Sequence, residues 1–242
     1  MANPLFYRNV VPLNRDAHRA LRLKTLDKPY DFARAAHLIP ALIDEFDAAN
    51  AEMPVAFLPG AAQPAAVFVT GIKPGRNVFI SAEGRWNGGY VPAYIRRYPY
   101  IIGEVANADP VLCIDDAYEG WSETDGPRLF GETGEPEAPV GSALSIANSY
   151  KTAAVRTDAF AATLQKLGLF QSISLDAKLA DGETTIVHGL LIVDEQLLAK
   201  LPDADFLGLR KAGYLKPIYA HLASLGAVSK LADKLAAVTS SA

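Results

Sequence analysis

The chain has 242 residues, is 50% hydrophobic and 21% charged, and carries a net charge of −4 with a single cysteine. That length and composition describe a folded globule with a substantial core and exclude a disordered chain. The negative balance argues against nucleic acid as a main partner, and one cysteine excludes an internal disulfide.

The opening MANPLFYRNVVPLNRDAH shows no basic stretch leading into a long apolar run, so no secretory signal is visible and a cytoplasmic location is expected. The first forty residues read as irregular, with short extended pieces near Val10 and Leu21. Pro40 to Asn50 reads as a helix, because Pro40 suits a first turn and Leu42, Ile43 and Phe46 fall at helical spacing. Met53–Ile72 carries no charge, but Pro54, Pro59, Pro64, Gly60 and Gly71 would break a spanning helix, and no membrane span is expected. Two strands, Val55–Leu58 and Ala65–Thr70, fit it better. A hairpin from Ala65–Thr70 into Asn77–Ser81 is expected around Gly71-Ile72-Lys73-Pro74-Gly75.

After the turn Gly84-Arg85-Trp86-Asn87-Gly88-Gly89, Pro92–Tyr98 should form two helical turns burying Val91, Tyr94, Ile95 and Tyr98, stopped by Pro99. Tyr100–Val105 and Val111–Ile114 read as strands. Trp121–Pro139 reads as a long surface loop. Ser142–Leu167 is the strongest helix, with Leu144, Ala147, Tyr150, Ala154, Ala161 and Leu164 as its buried stripe and Gly168 as its C-terminal cap. Ile173–Leu179 and Thr184–Val193 form a hairpin around Asp181-Gly182. Helices then follow over Asp194–Lys200, Asp203–Ala212 and Leu215–Leu225, with Asp194 and Asp203 as N-caps and a tail from Ser229. The expected fold class is α+β. An antiparallel sheet built from hairpins is packed by a long central helix and a C-terminal helical cluster, in one domain over 1–242 with a candidate lobe boundary near 121–140.

The chemistry is sparse. No phosphate-binding glycine loop and no metal-ligand spacing among His18, His37, His188 and His221 is present, so neither a cofactor nor a metal is expected. Gly120-Trp121-Ser122-Glu123-Thr124 misses the nucleophile elbow at its last position. Cys113 lies within an apolar strand and reads as a core thiol. Asp115, at a strand end, is the candidate acid or base. Arg85, Trp86, Tyr90, Tyr94, Arg96 and Arg97 form the densest polar-aromatic constellation and are the candidate ligand-binding residues. Those residues also fit a structural use, the tyrosines anchoring the short helix and the arginines pairing with the acidic run Glu104–Glu137, which has ten acids and one arginine.

Several stretches together carry a family resemblance. They are Phe6-Tyr7-x-Asn9-Val10-Val11-Pro12-Leu13-Asn14, Gly84-Arg85-Trp86, Tyr90-Val91-Pro92-Ala93-Tyr94-Ile95-Arg96-Arg97-Tyr98-Pro99, Cys113-Ile114-Asp115, Val193-Asp194-Glu195 and Ile218-Tyr219-Ala220-His221-Leu222-x-Ser224-Leu225. In this order they resemble the bacterial SapC family. The resemblance implies an association with a surface layer or with nutrient-uptake systems, and supplies no catalytic residues. The leading expectation is a non-catalytic accessory protein with a protein partner. The alternative is a small-molecule binder or an enzyme acting on a peptide, sugar or anionic metabolite. There Arg96 and Arg97 would hold negative charge, Trp86 and Tyr94 would meet a flat face, and Asp115 would exchange a proton; these residues would have to share one concave site.

Overall fold

A computed structural model describes residues 3–103, 110–178 and 184–240. Their strands are β1 (Val10–Pro12), β2 (Arg22–Leu23), β3 (Leu38–Pro40), β4 (Val55–Leu58), β5 (Ala65–Val69), β6 (Tyr100–Gly103), β7 (Val111–Asp115), β8 (Trp121–Ser122), β9 (Phe170–Lys178) and β10 (Thr184–Val193). The helices are α1 (Phe46–Ala49), α2 (Ala93–Arg96), α3 (Ala138–Lys166), α4 (Glu195–Ala199), α5 (Asp203–Lys211), α6 (Leu215–Ser224) and α7 (Val228–Ser240). The fold is α+β, with a long central helix and a C-terminal helical cluster. Its strands form three antiparallel sheets, ordered β3-β5-β4-β10-β9, β1-β7-β6 and β2-β8.

The apolar run that contains no charge becomes the β4–β5 hairpin, with Val55 opposite Phe68 and Leu58 opposite Ala65. β5 also pairs with β3, Leu38 opposite Val69. Both edges of β5 are thus occupied, which is why the expected hairpin partner at Asn77–Ser81 does not form. There Asn77 folds a turn, accepting from Phe79 N at 2.9 Å and donating to Ala33 O at 3.3 Å. The β5–β3 pairing also takes Pro40 into a strand, opposite Val67, and shortens the helix expected over Pro40–Asn50 to α1. Leu42 and Phe46 are still buried, as their spacing implies.

α3 starts at Ala138, earlier than expected, with Pro139 in its first turn. It ends at Lys166, and Gly168 follows the C-cap Leu167 with a φ of +66° that permits the left-handed cap. Its buried residues include Ala143, Ala147, Ala153, Thr157, Phe160, Ala161 and Leu164. Leu144, expected in that stripe, sits about 100° off it and is 42% exposed. Trp121–Pro139 is not simply a surface loop, because Leu129 and Phe130 are buried with Val140 in a small core of their own. Asp194 caps α4, accepting from Gln196 N and Leu197 N. Asp203 does not cap α5 but is its first residue, where its charge complements the helix dipole.

The expected tail is helix α7, whose Leu231 and Leu235 are buried in the main core alongside residues as distant as Ala33. The Asp181-Gly182 turn, Leu179, and the stretch from Glu104 to Asp109 lie outside the described residues, but β9 and β10 pair antiparallel, with Thr184 opposite Lys178. Among the described residues no helix is long and apolar enough to cross a membrane.

Candidate functional site

The segment from Tyr90 leads through α2, which contacts β3 and α3, into β6, which also contacts α3. Its pivot is α2, only one turn long, whose short length reflects Pro92 before it and Pro99 after it. A four-residue helix cannot hold itself in place. Glu45 anchors it from the segment before α1. Its Oε1 accepts from Ala93 N at 2.6 Å and from Tyr90 Oη at 2.7 Å, and its Oε2 accepts from Leu42 N at 3.2 Å. Glu45 is buried. Burial pushes its carboxyl up, against the lowering effect of the bonds from Tyr90, Ala93 and Leu42. The Tyr90 phenol is pushed up to about 12, by burial first and by Glu45 second, so it remains a donor.

The two arginines divide. Arg96 turns outward, donating through Nε to Val91 O at 2.9 Å and through Nη2 to Tyr90 Oη at 3.2 Å, with Glu45 Oε1 at 4.0 Å. Arg97 turns inward. Its guanidinium lies 4.0 Å from the ring centroid of Tyr150 on α3 and 4.2 Å from that of Tyr94, with Tyr7 at 5.8 Å. Its Nε is buried without a hydrogen-bond partner among the described residues. Cation–π attraction to rings, about 2 kcal/mol or more where desolvated, holds this charge where no carboxylate pairs with it among the described residues. Among the described residues, neither arginine pairs with the acidic run as expected; Glu45 lies beside Arg96, and aromatic faces surround Arg97.

Asp115 ends β7 fully buried. Its carboxylate accepts from Arg8 N at 3.0 Å, Asn9 N at 2.9 Å, Tyr98 Oη at 3.0 Å and Ala117 N at 3.3 Å. It thereby ties the N-terminal segment and the end of α2 to the three-stranded sheet.

Arg85 is an exposed residue of the Ser81–Arg85 turn. Trp86 stacks on Phe79 at 5.2 Å with an interplanar angle of 12°. The structure therefore brings Tyr90, Tyr94, Arg96 and Arg97 together, sets Asp115 against Tyr98 at the next turn, leaves Arg85 exposed, and stacks Trp86 on Phe79 against the same main core as Tyr90 and Tyr94.

Two cavities flank this region. One, of about 680 Å³, lies between α3 and the segments carrying Glu45 and Arg96. Its walls include Tyr90, Arg96, Asn148, Tyr150 and Arg156. Its cations are engaged, Arg96 as above and Arg156 in an ion pair with Asp44. The other, of about 380 Å³, lies on the far side of Tyr98. Neither is lined by Trp86, Arg85 or Asp115.

Glu45 and Arg156 escaped the sequence reading because a buried carboxylate and a helix-surface arginine look alike in a periodic pattern. Tyr150 was visible only as part of the α3 stripe.

The SapC family model matches residues 13–231. The chain belongs to the SapC family. No curated protein and no solved structure matches it.

Proposed function

We propose that this SapC-family protein is a non-catalytic, cytoplasmic accessory protein of a single domain, which binds a protein partner in a surface-layer or nutrient-uptake system. The observation that supports this reading is the internal use of the conspicuous polar groups. Asp115 spends its carboxylate on four donors, Arg97 lies between rings, and Glu45 and Arg96 brace α2. What faces outward is the groove beside α3, walled by Ser145, Asn148, Ser149 and Thr152. Short neutral polar side chains of this kind suit a hydrogen-bonded protein rim.

A photo-cross-linking residue placed at Asn148 or Thr152 in cells should give one discrete protein adduct, competed by unlabelled protein. The same probe at the exposed Glu137 should give none. Equal adducts at all three positions, or none anywhere, would contradict the reading.

The volume of the same groove favours a second reading, a peptide or sugar ligand contacting Tyr90, Tyr150 and Arg96. Saturable binding of a simple sugar or peptide, lost in Arg96→Gln, would select it over a folded partner.

A further inference from the structure

The smaller cavity, on the far side of Tyr98, is built differently from the α3 groove. Its floor is aromatic. Phe32 and Tyr98 lie 4.3 Å apart between centroids, and Tyr118 meets Tyr98 edge-on at 5.3 Å. The Tyr98 hydroxyl is turned away into Asp115 and kept protonated, by burial first and by the Asp115 charge second. The floor is therefore neutral and presents ring surface.

The rim is cationic. Arg8, Lys28 and Arg34 line it, with Asp31 and Glu119 as its acids. Arg34 is spent on Asp31, at 2.5 Å, and on Ser81 O, at 2.8 Å. Arg8 and Lys28 have no carboxylate within ion-pair distance among the described residues. The α3 groove offers no comparable cation, because both of its arginines are paired.

The position of Arg8 is also maintained at a cost. Two residues before it, Phe6 has φ of +78°, a conformation that costs an aromatic residue about 1–3 kcal/mol. Packing of Phe6 on Phe32, Tyr94 and Tyr98 holds it there. Asp115 then fixes the backbone N–H groups of Arg8 and Asn9. A strained hook, clamped on both sides, sets a guanidinium with no carboxylate partner among the described residues at the rim of the aromatic cavity. Stored strain of this kind occurs where a binding group must be pre-placed.

We propose that this cavity binds a small, flat aromatic monocarboxylate, its ring against Phe32, Tyr98 and Tyr118 and its carboxylate between Arg8 and Lys28. The volume suits one bicyclic ring system with a single acidic group. Glu119 on the rim disfavours a second negative charge. The site is separate from the α3 groove and does not depend on what binds there.

The test is calorimetric titration of the full chain with 2-naphthoate, 2,6-naphthalenedicarboxylate and 2-naphthalenemethanol. Saturable one-to-one binding of 2-naphthoate is expected, with the dicarboxylate weaker and the alcohol silent. Arg8→Gln and Lys28→Gln, both at exposed side chains, should each weaken 2-naphthoate about tenfold or more, the loss of one charge-assisted hydrogen bond. Lys216→Gln, at an exposed lysine paired with Asp47 away from this cavity, should leave the affinity unchanged. The proposal is overturned if wild-type protein does not bind 2-naphthoate at millimolar concentration, if the alcohol binds as well as the acid, or if Lys216→Gln weakens binding as much as Arg8→Gln does.

Discussion

Single residues carry much of the connectivity in this fold. His221 on α6 is fully buried. Its Nε2 accepts from Val193 N at 3.0 Å, so the ring proton sits on Nδ1 and is donated to Val55 O, also at 3.0 Å. One neutral imidazole thus joins β4 and β10. Burial lowers its pKa from 6.5 to about 4. The folded state resists a proton that the unfolded chain accepts, so stability falls as pH drops from about 6.5 to about 4, by about 3 kcal/mol in full. Urea unfolding across that window should show this slope, and His221→Gln should flatten it. Glu45 acts with the opposite sign. Its pKa is raised above 4.5, so its contribution is present below pH 4.5 and is lost as pH rises through the raised value. Asp115→Ala should cost about 3 kcal/mol in thermal or urea unfolding, since it removes a fully buried acceptor and strands part-buried donors on three separate segments.

At the scale of elements, short pieces are held by side chains from elsewhere. The start of β4 is clamped by α6, where Ser224 accepts from Val55 N at 2.9 Å and donates to His221 O at 2.6 Å. α2 depends on Glu45. Glu45→Ala should therefore destabilise the protein by about 3 kcal/mol and release α2, read as faster amide exchange at Arg96 and Arg97, the amides its own turn protects. α7 is fastened by Leu231 and Leu235, with Lys230 donating to Ala51 O at 2.7 Å and Lys234 to Asn87 O at 3.0 Å. Leu231→Ala should cost about 3 kcal/mol of unfolding free energy, as for a fully buried leucine.

For the whole molecule, the α+β class, the β4–β5 and β9–β10 hairpins, α3 and the helical end were legible, because each rests on local periodicity and turn chemistry. Non-local choices were not. Nothing near Asn77 in sequence reveals that β5 already has β3 on its second edge, and Pro40 carries no local sign that it will pair with Val67. α7 was missed because the spacing of Leu231 and Leu235 is set in an alanine-rich stretch. The α2 constellation is recognisable in composition, and the structure keeps Tyr90, Tyr94, Arg96 and Arg97 together while Arg85 stands exposed and Trp86 stacks on Phe79. Which arginine turned inward depended on Tyr150, more than fifty residues away, and the partner of Arg96 lay on the other side, at Glu45. Asp115 was visible as a strand-end acid, but its role as a junction depends on the backbone of Arg8 and Asn9.

These scales meet in one proposal: Tyr90, Arg97 and Asp115 serve the fold from within, and a protein partner docks on the groove beside α3. The most direct measurement is the yield of cross-linked partner from a probe at Thr152, compared between Asn148→Arg and Asp115→Asn backgrounds at a temperature where both are folded. The account predicts that Asn148→Arg abolishes the adduct with the melting temperature unchanged, while Asp115→Asn lowers the melting temperature and leaves the adduct in place. An adduct that survives Asn148→Arg and disappears with Asp115→Asn in folded protein would contradict it.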